Sequence, residues 1–234
     1  MLPVLVLCGG SGTRLRDVTQ GIVPKAMVPV AGRPFIDWKL EQLSDQGLEE
    51  VVLSVGLGGK QIVSHVRDGA QFGVRARYVD DGQELLGTGG AVVAALPSLP
   101  DAFWITYGDT MLEVNAADAE LRFQESQKLG AMTVLHNRDR RQPSNATVVG
   151  DLVTAYRKEP PPRDAEYIDY GMLVLTRAAF DDASRQTPFD LASVLGPLAA
   201  RGELLAIVAH EPFHDIGTPE ALRDTEAFLT GRRT

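Results

Sequence analysis

Strand-like and helix-like segments alternate through the first half of this chain, an order that few folds accept. The apolar run Leu2 to Cys8 (LPVLVLC) reads as a strand buried on both faces. Pro34 to Leu48 carries apolar residues at Phe35, Ile36, Trp38, Leu40 and Leu43 before a stop at Gly47, the pattern of a helix. Glu50 to Val55 predicts a second strand, Lys60 to Arg67 a second helix and Val74 to Val79 a third strand. Gly89 to Leu96 is a short helix and Ala102 to Tyr107 a fourth strand. Such βαβ units cross over right-handedly and build a mainly parallel sheet flanked by helices, an α/β Rossmann-like fold. Ligands then bind at the carboxyl ends of the strands. The segments after strands one, three and four (from Gly9, Leu86 and Gly108) all fall on that edge.

The second half has a different texture. Short strands are expected at Ala131 to His136, Ala146 to Val149, Val153 to Tyr156 and Ile168 to Leu175. Gly150-Asp151 and the stretch EPPPRD (159–164) punctuate them, which reads as a small antiparallel insertion beside the parallel sheet. A helix near Leu191 to Arg201, a strand Leu204 to Val208 and a helix from Pro219 to about Leu229 return the chain to it. With no repeat or long linker, residues 1–234 are expected to form one domain. Its two halves are 1–115 and 116–234.

The segment LCGGSGTRLRDVTQGIVPKAM (7–27) sets four glycines and an arginine directly after the first strand. It lacks the G-x-x-x-x-G-K-[ST] of a P-loop, and Gly10-x-Gly12 is followed by Leu15 where a dinucleotide fingerprint needs glycine. Its physics still points to phosphate. Glycines let successive N–H groups approach an anion, Arg14 adds a permanently charged fork, and Pro24 fixes the backbone before the point charge of Lys25.

"LCGGSGTRL…VPKAMVPVAGRPFI" resembles the signature of the sugar-1-phosphate nucleotidylyltransferases, or NDP-sugar pyrophosphorylases. The similarity continues in LGTGGA (86–91), YGDT (107–110) and DIGTPEAL (215–222), so four motifs span nearly the whole chain. The wording is nearest the short bacterial branch that includes heptose 1-phosphate guanylyltransferases.

The resemblance implies that a sugar 1-phosphate attacks the α-phosphorus of a nucleoside triphosphate and releases pyrophosphate. Cys8, Gly9, Gly10, Ser11, Gly12 and Thr13 are then placed on the nucleotide, with Arg14 near the leaving pyrophosphate and Lys25 between the α-phosphate and the sugar phosphate. Asp109 and Asp215 match the carboxylates that hold Mg²⁺, a cation suited to one or two carboxylates plus phosphate oxygens. Gly87, Thr88 and Gly89 match the segment against the nucleoside, glycine there leaving room for a flat base. Asp81, Gln83 and Glu84 are candidates to read the base edge, and a carboxylate suits guanine.

The sugar half departs from the family pattern. Where a lysine of an E-K-P-like segment contacts the sugar phosphate, the chain reads AYRKEPPP, and Lys158 is chosen over Glu159 because only a cation meets a phosphate. Asp169-Tyr170-Gly171 stands for the common N-x-G, so Asp169 is expected to accept from sugar hydroxyls and Gly171 to leave room for the ring. Tyr107 and Gly108 are placed on the same side, with Tyr167 and Tyr170 as further candidates to line the pocket. Asn145 is either a hydroxyl partner or a turn residue. Pro212 between His210 and His214 breaks helical metal-ligand spacing, so both histidines are read as strand and loop residues. Trp38 and Trp104 are assigned to the core.

The bulk numbers agree. A formal charge of −8 disfavours nucleic acid and anionic membranes, which leaves positive charge for one pocket. The single cysteine, Cys8, excludes an intrachain disulfide and is read first as a packing residue. No basic leader precedes the first strand and no apolar run reaches membrane length, so a cytoplasmic enzyme is expected. Its partners are an NTP and a sugar 1-phosphate, with no nucleic acid and no membrane; a homo-oligomer is left open. Two rivals remain: a phosphocholine-type cytidylyltransferase, which would want an aromatic cage, and a non-catalytic nucleotide-sugar sensor.

Overall fold

The computed structural model describes residues 1–10, 23–82, 84–138, 143–184 and 186–231. Ser11, Gly12, Thr13, Arg14 and Gln83, singled out above, lie outside them. The chain order begins β1 (Val4–Leu7), β2 (Pro29–Val30), β3 (Arg33–Pro34), α1 (Phe35–Asp45), β4 (Glu50–Val55), α2 (Gly59–Val66), β5 (Arg75–Asp80), α3 (Gly87–Ala95) and β6 (Ala102–Tyr107). It continues β7 (Thr110–Met111), α4 (Ala116–Ser126), β8 (Gly130–His136), β9 (Ala146–Val149), β10 (Leu152–Tyr156) and β11 (Tyr167–Thr176). α5 (Ala192–Ala200), β12 (Leu204–Ala209), β13 (His214–Asp215) and α6 (Pro219–Gly231) complete it.

Nine strands form one mixed sheet in the order β5-β4-β1-β6-β11-β8-β12-β10-β9. β5, β4, β1 and β6 run parallel, as the alternating pattern predicts. β11 enters antiparallel between β6 and β8, and β10 pairs antiparallel with β12 and β9. β12 runs parallel to β8, so the second half is mixed rather than purely antiparallel. No helix among the described residues is long and apolar enough to cross a membrane.

The continuous apolar runs exist because both faces of this sheet are covered. Val4 and Val6 point into one cluster with Ile36, Leu40 and Leu43 of α1, Ile62 and Val66 of α2, and Phe123 of α4. Leu5 points the opposite way, into a cluster with Val92 and Ala95 of α3 and Val194, Leu195 and Leu198 of α5. Both clusters are fully buried apart from edge atoms, which is the alternation a strand imposes. α6 packs separately, with Leu229 joining Val28, Val30, Phe35, Met111 and Ile216.

Helix α1 stops where the sequence says it should: Gly47 is left-handed at φ +78°, and Gly47 N and Leu48 N close onto Ser44 O and Leu43 O. Trp104 is buried in the sheet as expected. Trp38 is only partly covered; its Nε1 donates to Val30 O at 3.0 Å and the Arg33 guanidinium lies 3.7 Å from its ring centroid.

Candidate active site

The carboxyl edge of the sheet gathers the segments that carry chemistry. Cys8 N donates to Ser54 O at 2.9 Å and Asp81 N to Val55 O at 2.8 Å, which extends the ladder past the ends of β1 and β5. Ser54 Oγ lies 2.7 and 2.8 Å from the two oxygens of Asp81 and donates to that carboxylate. A Cβ on Gly9 would strike Asp81 Oδ2, so this glycine is needed for the close approach of loop and carboxylate. Burial raises the Asp81 carboxyl above its usual range, and the Ser54 hydroxyl offsets only part of that.

Gly108 has a similar reason, since a Cβ there would come 2.5 Å from Cys8 Sγ. Burial pushes the Cys8 thiol up to about 12, and the negative charge of Asp109 adds to the effect. Burial and Asp109 thus both favour the protonated thiol, in keeping with a packing residue.

Pro24 is extended at φ −55° and ψ 143°, and delivers Lys25 at the start of a single 3-10 turn, Lys25–Met27. Lys25 Nζ lies 2.5 Å from Asp109 Oδ2, both side chains being mostly buried. Asp109 and Asp215 are brought together by a two-stranded ribbon: β7 pairs antiparallel with β13, Thr110 opposite Asp215, and Ile216 N donates to Asp109 O at 3.1 Å. Thr110 Oγ1 donates to Asp109 Oδ1 at 3.1 Å and Gly217 N to Asp215 Oδ1 at 2.6 Å. A Cβ on Gly217 would lie 2.7 Å from Asp215 Oδ1 and 3.5 Å from Lys25 Nζ, which sets all three groups around one point.

Two carboxylates held by backbone at adjacent positions are a hard-oxygen donor pair. They fit Mg²⁺ if phosphate oxygens and water complete the shell. The described residues contain no cluster of three or more His, Cys, Asp or Glu suited to a metal, so a site made by protein ligands alone is not present among them.

A second polar network joins β10, β11 and Asn145, the residue before β9. Asp169 is partly buried at a register shift in β11, with Oδ2 accepting from Tyr156 OH at 2.8 Å and Oδ1 from Gly171 N at 3.0 Å. Burial raises its carboxyl, which the Gly171 and Tyr156 hydrogen bonds counter only in part. Asn145 Oδ1 accepts from Asp169 N at 2.8 Å, so its carbonyl clamps the backbone beside the carboxylate. Gly171, at φ +90°, turns the open side of its Cα toward the Tyr107 ring, where a Cβ would sit at 3.4 Å. The Tyr107 hydroxyl is held well above its usual range by burial, with Asp169 the next cause.

Tyr170 does not join this network, contrary to expectation. Its hydroxyl donates to Glu211 O at 2.8 Å, its ring meets Phe213 edge-on, and the residue is 1% exposed. Alternation along β11 turns it to the sheet face opposite Asp169. Tyr167 packs edge-on against His136 at 5.0 Å. His214 belongs to β13 and stacks on Phe228, a strand residue as expected.

Lys158 Nζ is 2.9 Å from each carboxylate oxygen of Asp190, a residue the sequence reading passed over. Asp190 belongs to a loop zipped onto the segment Leu86–Gly89. Phe189 N donates to Leu86 O at 3.1 Å, Gly89 N to Phe189 O at 3.0 Å and Leu191 N to Thr88 Oγ1 at 2.8 Å. A Cβ on Gly87 would strike Phe189 O, and one on Gly89 the Phe189 ring. The two glycines thus have a reason beyond a base: they admit this loop.

Lys39 is a further group that sequence pattern missed. It is fully buried on α1, donates to Thr106 Oγ1 at 3.0 Å, and burial lowers its ammonium to about 7 despite the pull of Asp109. Thr106 Oγ1 passes the contact on to Gly171 O at 3.0 Å. Only its place among apolar helix positions marks Lys39 in the sequence.

The comparisons with known proteins converge on the same region of protein space. Over 219 residues the chain is 29% identical to the D-glycero-alpha-D-manno-heptose 1-phosphate guanylyltransferase of Campylobacter jejuni, covering 94% of this chain and 96% of that one. It is 31% identical over 190 residues to the low-salt glycan biosynthesis nucleotidyltransferase Agl11 of Haloferax volcanii, but spans only 52% of that protein. Among solved structures, HddC from Yersinia pseudotuberculosis complexed with GMP-PN superposes with a TM-score of 0.81 at 25% identity, covering 98% of this chain and 100% of that one. The model of one family, described as nucleotidyl transferase, matches residues 3–232. That match takes in the glycine-rich segment, the Asp109–Asp215 ribbon and the Asp169 network together, and the chain belongs to the nucleotidyl transferase family.

Proposed function

We propose that the protein joins a sugar 1-phosphate to a nucleoside triphosphate and releases pyrophosphate, with GTP and a heptose, mannose or glucose 1-phosphate as the leading pair. The observation that carries this reading is the meeting of Lys25, Asp109 and Asp215 at the carboxyl edge, between the Gly9–Gly10 segment and the Asp169 network. The guanylyltransferase of Campylobacter jejuni and HddC with its GMP-PN favour a guanine nucleotide.

The chemistry asks for positioning and charge, not for a base. A phosphate monoester has a second pKa of about 6, so the attacking oxygen is already mostly ionised at neutral pH. The new bond joins that oxygen to the α-phosphorus, and the bond to the bridging oxygen breaks as pyrophosphate leaves. Two polyanions must be held together against their repulsion. Lys25, fixed by the turn after Pro24, places its ammonium where the two phosphates meet. Arg14 and the glycine-rich segment are assigned to the triphosphate, and Lys158 to the sugar phosphate. Asp109 and Asp215 would hold Mg²⁺, which would supply further neutralisation at phosphate oxygens. Asp169, an acceptor-only group with Tyr156 and Gly171 N already bonded, orients sugar hydroxyls. Residues 1–234 act as one cytoplasmic domain in this reading. A phosphocholine substrate is disfavoured, because Tyr170 is buried on the opposite sheet face and cannot contribute to a cage.

Pyrophosphate release in the presence of Mg²⁺ tests the reading, with four nucleoside triphosphates crossed against sugar 1-phosphates and phosphocholine, and Asp109→Asn as blank. Release with one nucleotide–sugar pair is the expected result. Silence across the panel with nucleotide still bound would overturn it in favour of a sensor.

A further inference from the structure

We infer that Asp190 is a positioning residue that aims the Lys158 ammonium at the phosphate of the second substrate. The inference rests on the reading above only in assigning Lys158 to an anion; the pairing itself is geometric. An ammonium on a four-carbon stem has three donors and many rotamers. Two of those donors are taken by the two oxygens of Asp190 at 2.9 Å each, which fixes the stem and leaves the third for an incoming oxygen.

Asp190 can do this because it is itself immobilised. Its Oδ1 also accepts from Ala192 N at 2.8 Å, capping the turn that leads into α5. The Thr88 hydroxyl bonds to the same carboxylate while accepting from Leu191 N at 2.8 Å, across 103 positions of chain. Burial would raise the Asp190 carboxyl, but the Ala192 N–H, Lys158 and Thr88 outweigh it and hold it below its usual range, so the group stays ionised. Asp169 adds a second negative charge near Lys158. Both partners of the Lys158–Asp190 pair are about half exposed, so the pair adds little to stability and its consequence is one of direction.

The opposite arrangement, in which Asp190 withholds Lys158 from the phosphate, uses the same contact and predicts the opposite sign. Calorimetric titration with inorganic phosphate separates the two without any turnover, using wild type, Asp190→Asn, Lys158→Ala and the double variant. Asn keeps an oxygen for Ala192 N–H, so the cap and fold survive. Asp190→Asn is expected to weaken phosphate binding about tenfold, and less than about twofold once Lys158 is already alanine. Tighter binding in Asp190→Asn, an equal loss in both backgrounds, or wild-type affinity in Lys158→Ala would each overturn the inference. These outcomes are independent of the pyrophosphate panel, so a silent panel with the expected phosphate cycle would reject the proposed reaction and keep Asp190.

Discussion

Lys25 Nζ stands 2.5 Å from Asp109 Oδ2, joining residues 84 positions apart in the chain. The lysine comes from a turn fixed by Pro24 and the carboxylate from the loop between β6 and β7, so neither can drift alone. In the proposed reaction this pair stands where positive charge is needed between the two phosphates. It also means that Asp109 is shared between the ammonium and any divalent ion it helps to hold.

Asp109→Asn should therefore cut pyrophosphate release by about a hundredfold or more while leaving the fold intact. Circular dichroism and a melting curve check the fold, and turnover across a Mg²⁺ titration checks the site. Wild-type rates at millimolar Mg²⁺ would remove Asp109 from the chemistry. Chelation by EDTA should stop wild-type turnover reversibly without unfolding, because the two carboxylates are held by backbone pairing rather than by an ion.

Lys39→Met should stabilise the protein, most strongly below neutral pH. The native ammonium titrates at about 7 against an ordinary 10.5, so between those values the unfolded chain binds the extra proton and wild-type stability rises with pH. Below about 7 both states are protonated and the full cost of the buried charge remains. The advantage of the variant should shrink by roughly 2 kcal/mol between pH 6.5 and 9.5 in urea denaturation, given about 1.4 kcal/mol per pH unit before discounting for relaxation. A constant difference across that range would show that Lys39 is charged throughout.

Tyr156→Phe removes the hydrogen bond to Asp169 Oδ2 and lets burial raise that carboxyl further. A carboxylate acts as an acceptor only above its pKa, so the sugar-phosphate KM should begin to climb at a higher pH than in wild type as the solution is acidified. The profile should move to higher pH, with the nucleotide KM unmoved. Coincident pH profiles would detach Tyr156 from Asp169.

Gly89→Ala drives a methyl into the Phe189 ring and should cost about 1–3 kcal/mol. That corresponds to a fall in Tm of about 2–10 °C for a chain of this size. Phe189→Leu in the same background should recover part of the loss. An unchanged melting temperature in Gly89→Ala would mean that the loop at Phe189 is not seated on α3.

The parallel half was legible because both of its faces are buried: runs such as Leu2–Cys8 and Glu50–Val55 announce strands by composition alone. The helix α4 was not read, although Asn115 caps it by accepting from Asp118 N and Ala116, Ala119 and Phe123 form its buried stripe. Two of its three buried residues are alanines, which carry little hydrophobic contrast. The ribbon β7–β13 and the hairpin of β2 and β3 are two residues per strand, below any periodic signal. Of the candidate site, motif residues such as Lys25, Asp109 and Asp169 could be picked out by type. Asp190, Tyr156 and Lys39 could not, because their roles come from partners that only the folded chain brings near.

A ribosome delivers Asp109 long before Asp215, and β7 waits without its partner strand until β13 has emerged. A polypeptide terminated before His214 would lack Asp215, the second carboxylate of the pair. By placing one carboxylate in β13, the chain leaves the pair incomplete until that strand has been made.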